Sequence, residues 1–145
     1  MNIFLDANIL VAVLNKEYPV FTYAARILSL ADSKKYKIYT SPLCLAIAFY
    51  FSAKKSGNKL AKEKIATLIS HINITDTNAQ AVEQAIANKK VHDFEDGLEY
   101  YSALAARCEL IITEDLPDFH FSEIKVLTAA AFFEQYQNTR KSSKA

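Results

Sequence analysis

Glycine and proline are scarce in this chain, 2 and 3 in 145 residues. Turns between elements must therefore be built mostly from other residues, and the first stretch, "MNIFLDANILVAV", contains neither. Cysteine is nearly missing too. Cys44 and Cys108 lie in apolar helical contexts without CxxC spacing, which reads as buried thiols in a reducing compartment rather than a metal pair. No apolar run is long enough to span a membrane, and the N-terminal stretch has no basic segment and carries an acid, Asp6. The expectation is a cytoplasmic protein that is neither secreted nor membrane-embedded. The formal net charge is only +1, so composition demands no nucleic-acid partner, and RNA would have to be met by a local patch. Internal repeats, low-complexity segments and interdomain linkers are missing as well.

What the chain does have is apolar residues, 51% of the total. A chain of this size buries roughly 70% of its unfolded surface, enough for one core without staples. Residues 1–137 read as one domain. Residues 138–145, "NTRKSSKA", read as a polar, basic tail expected to be disordered. Short apolar strand-type runs occur at 3–5, 37–39, 71–74, 110–112 and 125–127. Helical spacing fills the intervals 21–31, 42–55, 60–69, 77–88, 94–107 and 128–136. Ser41 and Pro42 suit a helix cap and first turn, Gly57 a helix end, and Thr77 another cap. Strands alternating with helices, each strand apolar throughout, predict an α/β fold with a mainly parallel sheet covered on both faces. Such sheets bind ligands beyond the carboxyl ends of their strands, at a topological switch point. Asp6 stands at the end of the first strand.

Acids recur at two more such places. "HDFEDGLEYYSALAA" puts Asp93, Glu95 and Asp96 at a helix start, where caps and the helix dipole explain one or two of them. Glu99 lies three residues beyond Asp96, on nearly the same face, which a cap does not require. "LIITEDLPDF" follows a strand with Thr113, Glu114, Asp115 and Asp118. The helix starting near Asp93 feeds directly into that strand, so all three clusters can reach one edge. Like charges gathered there need a cation or raised pKa values to coexist. Grouped carboxylates are the usual ligands of Mg²⁺ or Mn²⁺, which activate water and steady charge on a phosphodiester.

These residues together resemble a PIN domain, a family of Mg²⁺/Mn²⁺-dependent ribonucleases that includes the toxins of VapC-type toxin–antitoxin pairs. "FLDANILVAVL" is similar to the family's first strand, DTN box and following helix. "DFEDGLEYYSALAARCELIITEDLPDF" is similar to the C-terminal signature of one subgroup: Asp, any residue, Glu-Asp, an apolar helix, a strand, and a T-x-D…DF ending. The resemblance implies a three-layer α/β/α fold with four to five strands. It also implies Asp6, Asp96 and Asp115 as metal-binding catalytic acids. Asp93 would then be an accessory metal residue, Asn8 a neighbour of Asp6, Thr113 a positioning hydroxyl, and Asp118 part of the "DF". It further implies RNA as substrate, a homodimer, and an antitoxin bound along the second to fourth helices.

Two positions depart from the pattern. Ile47 stands where many PIN nucleases carry a third-helix Glu; Glu95 or Glu99 could compensate, and some PIN subgroups do without this Glu. Glu114 stands where the subgroup tends to carry Arg, and a Glu would repel phosphate. Both departures support an alternative, a PIN-fold module that binds RNA or protein without cutting. Receiver-type and haloacid-dehalogenase-type domains also end a first strand in Asp, but the chain has no DxD box and no Lys after a later apolar strand. Lys54, Lys55, Lys59, Lys62 and Lys64 fit either an RNA grip or a solvated edge. His71, His92 and His120 lack ligand spacing and read as ordinary polar residues.

Overall fold

The computed structural model describes residues 1–137, so the expectation for 138–145 lies outside the described residues. Five strands form one parallel sheet: β1 (Asn2–Leu5), β2 (Lys37–Thr40), β3 (Asn73–Ile74), β4 (Leu110–Ile112) and β5 (Lys125–Leu127). Their spatial order is β3-β2-β1-β4-β5. Central β1 pairs Ile3 with Ile38 on one side and with Leu110 on the other. It is buried from both faces, which is why "IFL" and "LII" read as unbroken apolar runs: Ile3, Phe4, Leu5, Leu110, Ile111 and Ile112 are all fully inaccessible.

The helices are α1 (Ala7–Leu14), α2 (Val20–Ser29), α3 (Pro42–Ser56), α4 (Asn58–Ile69), α5 (Ala79–Ala87), α6 (Phe94–Ala105) and α7 (Ala129–Phe132). A π-type turn over Phe133–Gln137 continues α7. Crossovers between parallel strands are right-handed, so the outward steps β1 to β2 to β3 and the return to β4 carry their helices on opposite faces. Helices α1, α3 and α4 pack together, while α5 packs on α6.

Local signals set the boundaries. The Ser41 hydroxyl accepts from the Cys44 N–H at 3.1 Å, and Pro42 opens α3. Gly57, at φ +85°, ends α3 and admits α4 in the next residue, a conformation other residues rarely adopt. The cap of α5 is Asn78, not Thr77. Both are cap-type residues, but the Asn78 side chain takes the Ala81 N–H, while the Thr77 hydroxyl pairs with Ser102 at 2.9 Å. The strand read over 71–74 shortens to Asn73–Ile74, because the His71 N–H is used in a turn to the Leu68 carbonyl. The Lys55 and Lys64 ammonium groups bond the Asn15 and Leu14 carbonyls and so close the C-terminus of α1. Two of the five lysines that fit an RNA grip thus bond backbone carbonyls, and a third, Lys54, lies over the Tyr50 ring.

Candidate metal centre

The order β3-β2-β1-β4-β5 reverses direction at the β1/β4 crevice. Asp6 and Thr113 stand on its two rims, each one residue past its strand. The Asp6 N–H bonds the Ile112 carbonyl at 3.0 Å, which ties the two strand ends together. Asp6 is only 6% exposed. Its Oδ1 caps α1 by accepting from the Ala7 N–H at 2.6 Å. Its Oδ2 accepts from the Thr113 hydroxyl at 2.7 Å and from Asn8 Nδ2 at 3.3 Å. Asn8 is a bridge: Nδ2 also reaches Thr113 Oγ1 at 3.1 Å, and Oδ1 accepts from the Glu114 N–H at 3.2 Å. The Asp115 N–H bonds Thr113 Oγ1 at 3.0 Å. Thr113 Oγ1 is therefore the hub that links β1, α1 and the loop carrying Asp115.

The acids of α6 arrive from the other side of the crevice. Asp93 caps the helix through the Glu95 and Asp96 N–H groups at 2.8 and 3.3 Å, the ordinary use of an acid there. Asp96 is half-buried and its carboxyl is pushed up to about 7, first by desolvation and then by the charges of Asp118, Asp93, Asp6 and Glu95. Every charge in that set is another carboxylate. Glu95 is exposed and contributes the smallest share. The Asp118 carboxyl is also raised, by desolvation and then by its hydrogen bond to Asp115, with Asp6 and Asp93 adding repulsion. Residues 6, 93, 96, 115 and 118 thus share one negative field.

One turn deeper, Glu99 is buried at 3% exposure. Its ionisation is pushed well up by burial first, and then by the adjacent Asp6 carboxylate. On its other side it accepts a hydrogen bond from the Cys44 thiol at 2.7 Å. Ligand atoms of Asp6, Cys44 and Glu99 lie within 4.8 Å of one another. Burial first, then Glu99 and Asp6, raise the Cys44 thiol well above its ordinary range, so it stays a protonated donor. The donors available to a cation are then carboxylate oxygens, which suit Mg²⁺ or Mn²⁺ rather than a thiophilic metal.

Both departures from the expected pattern have local counterparts. Glu99 brings a carboxylate to Asp6 from α6, where α3 offers Ile47. Glu114 is engaged at the start of α7, its Oε1 accepting from the Ala129 N–H at 3.1 Å beside the N-cap Thr128. Sequence reasoning missed Cys44 as a member of this site. Its spacing of three from the cap Ser41 was the available signal, since that places it on the first turn of α3, beyond a strand end. It also missed that His92 and His120, set aside as unremarkable, stack on each other at 4.9 Å between ring centroids.

A second concavity, of about 500 Å³, lies away from the acids between α1, α2 and α4, lined by Val13, Leu14, Ala25, Leu28, Lys64 and Leu68 among others. Among the described residues no helix is long and apolar enough to cross a membrane.

Comparison with known proteins agrees with this fold. The profile of the PIN domain family matches residues 2–117. Ribonuclease VapC1 of Aquifex aeolicus (strain VF5) is 27% identical over 138 residues, covering 92% of this chain and 94% of that protein. A chain of VapBC2 from Rickettsia felis, solved bound to a DNA fragment from its promoter, superposes with a TM-score of 0.69 at 19% identity, over 88% of this chain and 98% of that one. A toxin–antitoxin complex from Klebsiella pneumoniae gives 0.64 at 20% identity, over 87% and 96%. With four-fifths of its length matched by the family profile and the five-stranded parallel sheet in place, the chain belongs to the PIN domain family.

Proposed function

We propose that this chain is a divalent-metal-dependent endoribonuclease, the toxin half of a toxin–antitoxin pair. One observation carries the reading: the β1/β4 switch point gathers carboxylates, and desolvation first and then the neighbouring acids push the Asp96 carboxyl up to about 7, with no cation of the described residues among the charges acting on it. Asp6, Asp96 and Asp115 hold Mg²⁺ or Mn²⁺, and Glu99 supplies the carboxylate that Ile47 does not. Asp93 and Asp118 flank them, and Glu95 adds to the field from the rim. When bound, the ion activates a water and neutralises charge on the phosphodiester. Thr113 and Asn8 fix the Asp6 carboxylate in one orientation, which pre-positions a ligand before substrate arrives. Glu99 and Cys44 close the floor behind Asp6 and keep water out, so charge interactions there are weakly screened.

The name of the Aquifex relative, a ribonuclease, supports the reaction class. The non-cutting alternative drew on Ile47 and Glu114; the position of Glu99 beside Asp6 and the bond from the Ala129 N–H to Glu114 weigh against it. The toxin–antitoxin complex among the structural neighbours supports a protein partner. The apolar cavity beside α2 and α4 takes an apolar helix of that antitoxin, and Tyr50 and Phe51, 55% and 46% exposed on α3, supply contacts for a homodimer.

The test is cleavage of a panel of structured RNAs with Mn²⁺ by the native chain and by Asp96→Asn. Cleavage by the native chain, lost in the variant, is expected. Equal activity of the two, or none in either, rejects the proposal.

A further inference from the structure

The acids of the site repel the backbone that a nuclease must hold. RNA bound there needs contacts outside the carboxylates, and one rim of the site offers them. The turn between α5 and α6 presents Lys89, Lys90 and His92 to solvent immediately before Asp93, and the exposed Phe94 opens α6. The turn has a set shape. Asn88 accepts from the Lys90 N–H at 3.0 Å through its side chain and from the Val91 N–H at 3.1 Å through its carbonyl, and its Nδ2 reaches the Tyr101 hydroxyl at 3.1 Å.

Across from this turn, the 3₁₀ turn Leu116–Phe119 carries Asp118 and delivers His120. The two imidazoles stack with an interplanar angle of 21°. His120 is held in place from behind: Phe121 meets it edge-on at 5.6 Å and 89°, and its Nδ1 lies 3.2 Å from the Pro117 carbonyl. His92 has only one of its faces used in this stack. Both rings are exposed, so their stacking removes little apolar surface from water and adds little to stability. An ordered, solvent-facing ring stack beside two lysines has the features of a nucleotide platform: a π-face for a base and point charges for the adjoining phosphates.

We infer that His92, stacked on His120, is the platform for an unpaired base next to the scissile phosphate, while Lys89 and Lys90 hold the flanking backbone. This rests on the nuclease reading and deepens it, because a base inside a duplex has no free face to offer. The substrate is therefore cut at single-stranded positions, in loops or unpaired ends. These are substrate-contact residues and hold no ion.

The experiment measures fluorescence anisotropy of a short unpaired RNA, and of the same sequence closed in a duplex, on the full chain carrying Asp96→Asn. It is repeated with His92→Ala/His120→Ala, His92→Phe/His120→Phe, and Lys89→Ala/Lys90→Ala added. The alanine ring pair is expected to weaken binding of the unpaired RNA about tenfold and the phenylalanine pair to keep it within about twofold, since stacking needs a ring and not an imidazole. The lysine pair is expected to lower affinity and flatten its salt dependence. In the cleaving protein, the alanine ring pair raises KM with kcat held, which a role in folding alone does not produce. Urea midpoints within error of the parent exclude unfolding. The inference is overturned if the alanine ring pair binds like its parent, if phenylalanine fails to restore binding, if duplex binds as well as unpaired RNA, or if the parent binds neither. Binding of this pattern without cleavage by the native chain would reject the nuclease reading while leaving the platform standing.

Discussion

Replacing Thr113 by valine tests the hub of the site directly. The side chain is fully buried and its oxygen makes three bonds: donation to Asp6 at 2.7 Å, and acceptance from Asn8 at 3.1 Å and the Asp115 N–H at 3.0 Å. Valine has the same shape, so packing is preserved and only the hydroxyl is lost. A hydrogen bond to a charged group contributes about 1.5–3 kcal/mol. Asn8 Nδ2 keeps a second acceptor in Asp6, at 3.3 Å, but the Asp115 N–H loses the only partner described for it, which costs up to about 1 kcal/mol more where water does not reach. The expected total is about 2–4 kcal/mol. Thr113→Ser keeps the oxygen and loses one buried methyl, for about 1 kcal/mol.

The assay is urea unfolding in EDTA, so that no cation contributes. With a slope of about 2 kcal/mol per molar for a domain of this size, valine should lower the midpoint by about 1–2 M and serine by about 0.5 M. A cycle with Asn8→Ala isolates the energy the two side chains share, expected at about 1 kcal/mol. Should valine and serine unfold at the same urea concentration, the hydroxyl holds nothing, and the claim that Asp6 is pre-oriented by Thr113 fails.

Three further outcomes are expected. Mn²⁺ at a hundredfold excess over its Kd should stabilise the native chain by about 2.7 kcal/mol, a Tm rise of about 8 °C, and Glu99→Gln should remove most of that rise; an unchanged rise would exclude Glu99 as a ligand. The pH dependence of the metal-free protein follows from Asp96, whose carboxyl keeps its proton to about 7 when folded but loses it near 4 when unfolded. The folded state binds more protons across that window, so stability should fall as pH climbs from about 4 to about 7 and level off above; in Asp96→Asn the slope should shrink, as followed by thermal melts in EDTA. Glu114→Ala removes one of two side-chain bonds at the start of α7, Thr128 keeping the other, so it should cost under about 1 kcal/mol and leave RNA cleavage unaltered, whereas a large change in cleavage would mean that Glu114 acts at the acids instead.

The sheet and most helix ends were legible because their signals are local. Unbroken apolar runs marked β1 and β4, and Ser41, Pro42 and Gly57 bracketed α3 to within a residue. Thr77 and Asn78 are adjacent and both able to cap, and only the approach of Ser102 from α6 decides between them. The three acidic clusters were legible too, since position at strand and helix ends follows from topology. Their depth was not. Asp96 and Glu99 share a helix face, yet one is half-buried at the mouth and the other is enclosed against Cys44, a difference set by how α3 approaches α6. The His92–His120 stack joins residues 28 positions apart through the geometry of the 3₁₀ turn, and no spacing rule reports such a contact.

The way the acids are held explains why the fold tolerates them and what they are suited to do. Buried carboxylates are ordinarily neutralised by arginine or lysine, and such a pair leaves little field for a ligand. Here the donors are short-range and mostly uncharged: the Ala7, Glu95 and Asp96 N–H groups, the Thr113 hydroxyl, the Asn8 amide and the Cys44 thiol. Such groups fix orientation and satisfy lone pairs, but they do not cancel charge. Desolvation is the first cause that pushes up the ionisation of Asp96, Glu99 and Asp118, and added to it is the repulsion that remains. A divalent cation relieves it and a polyanion aggravates it. On the proposed function, the same arrangement that favours an ion at the β1/β4 crevice leaves RNA to be gripped elsewhere, which is the role inferred above for Lys89, Lys90 and the His92–His120 stack.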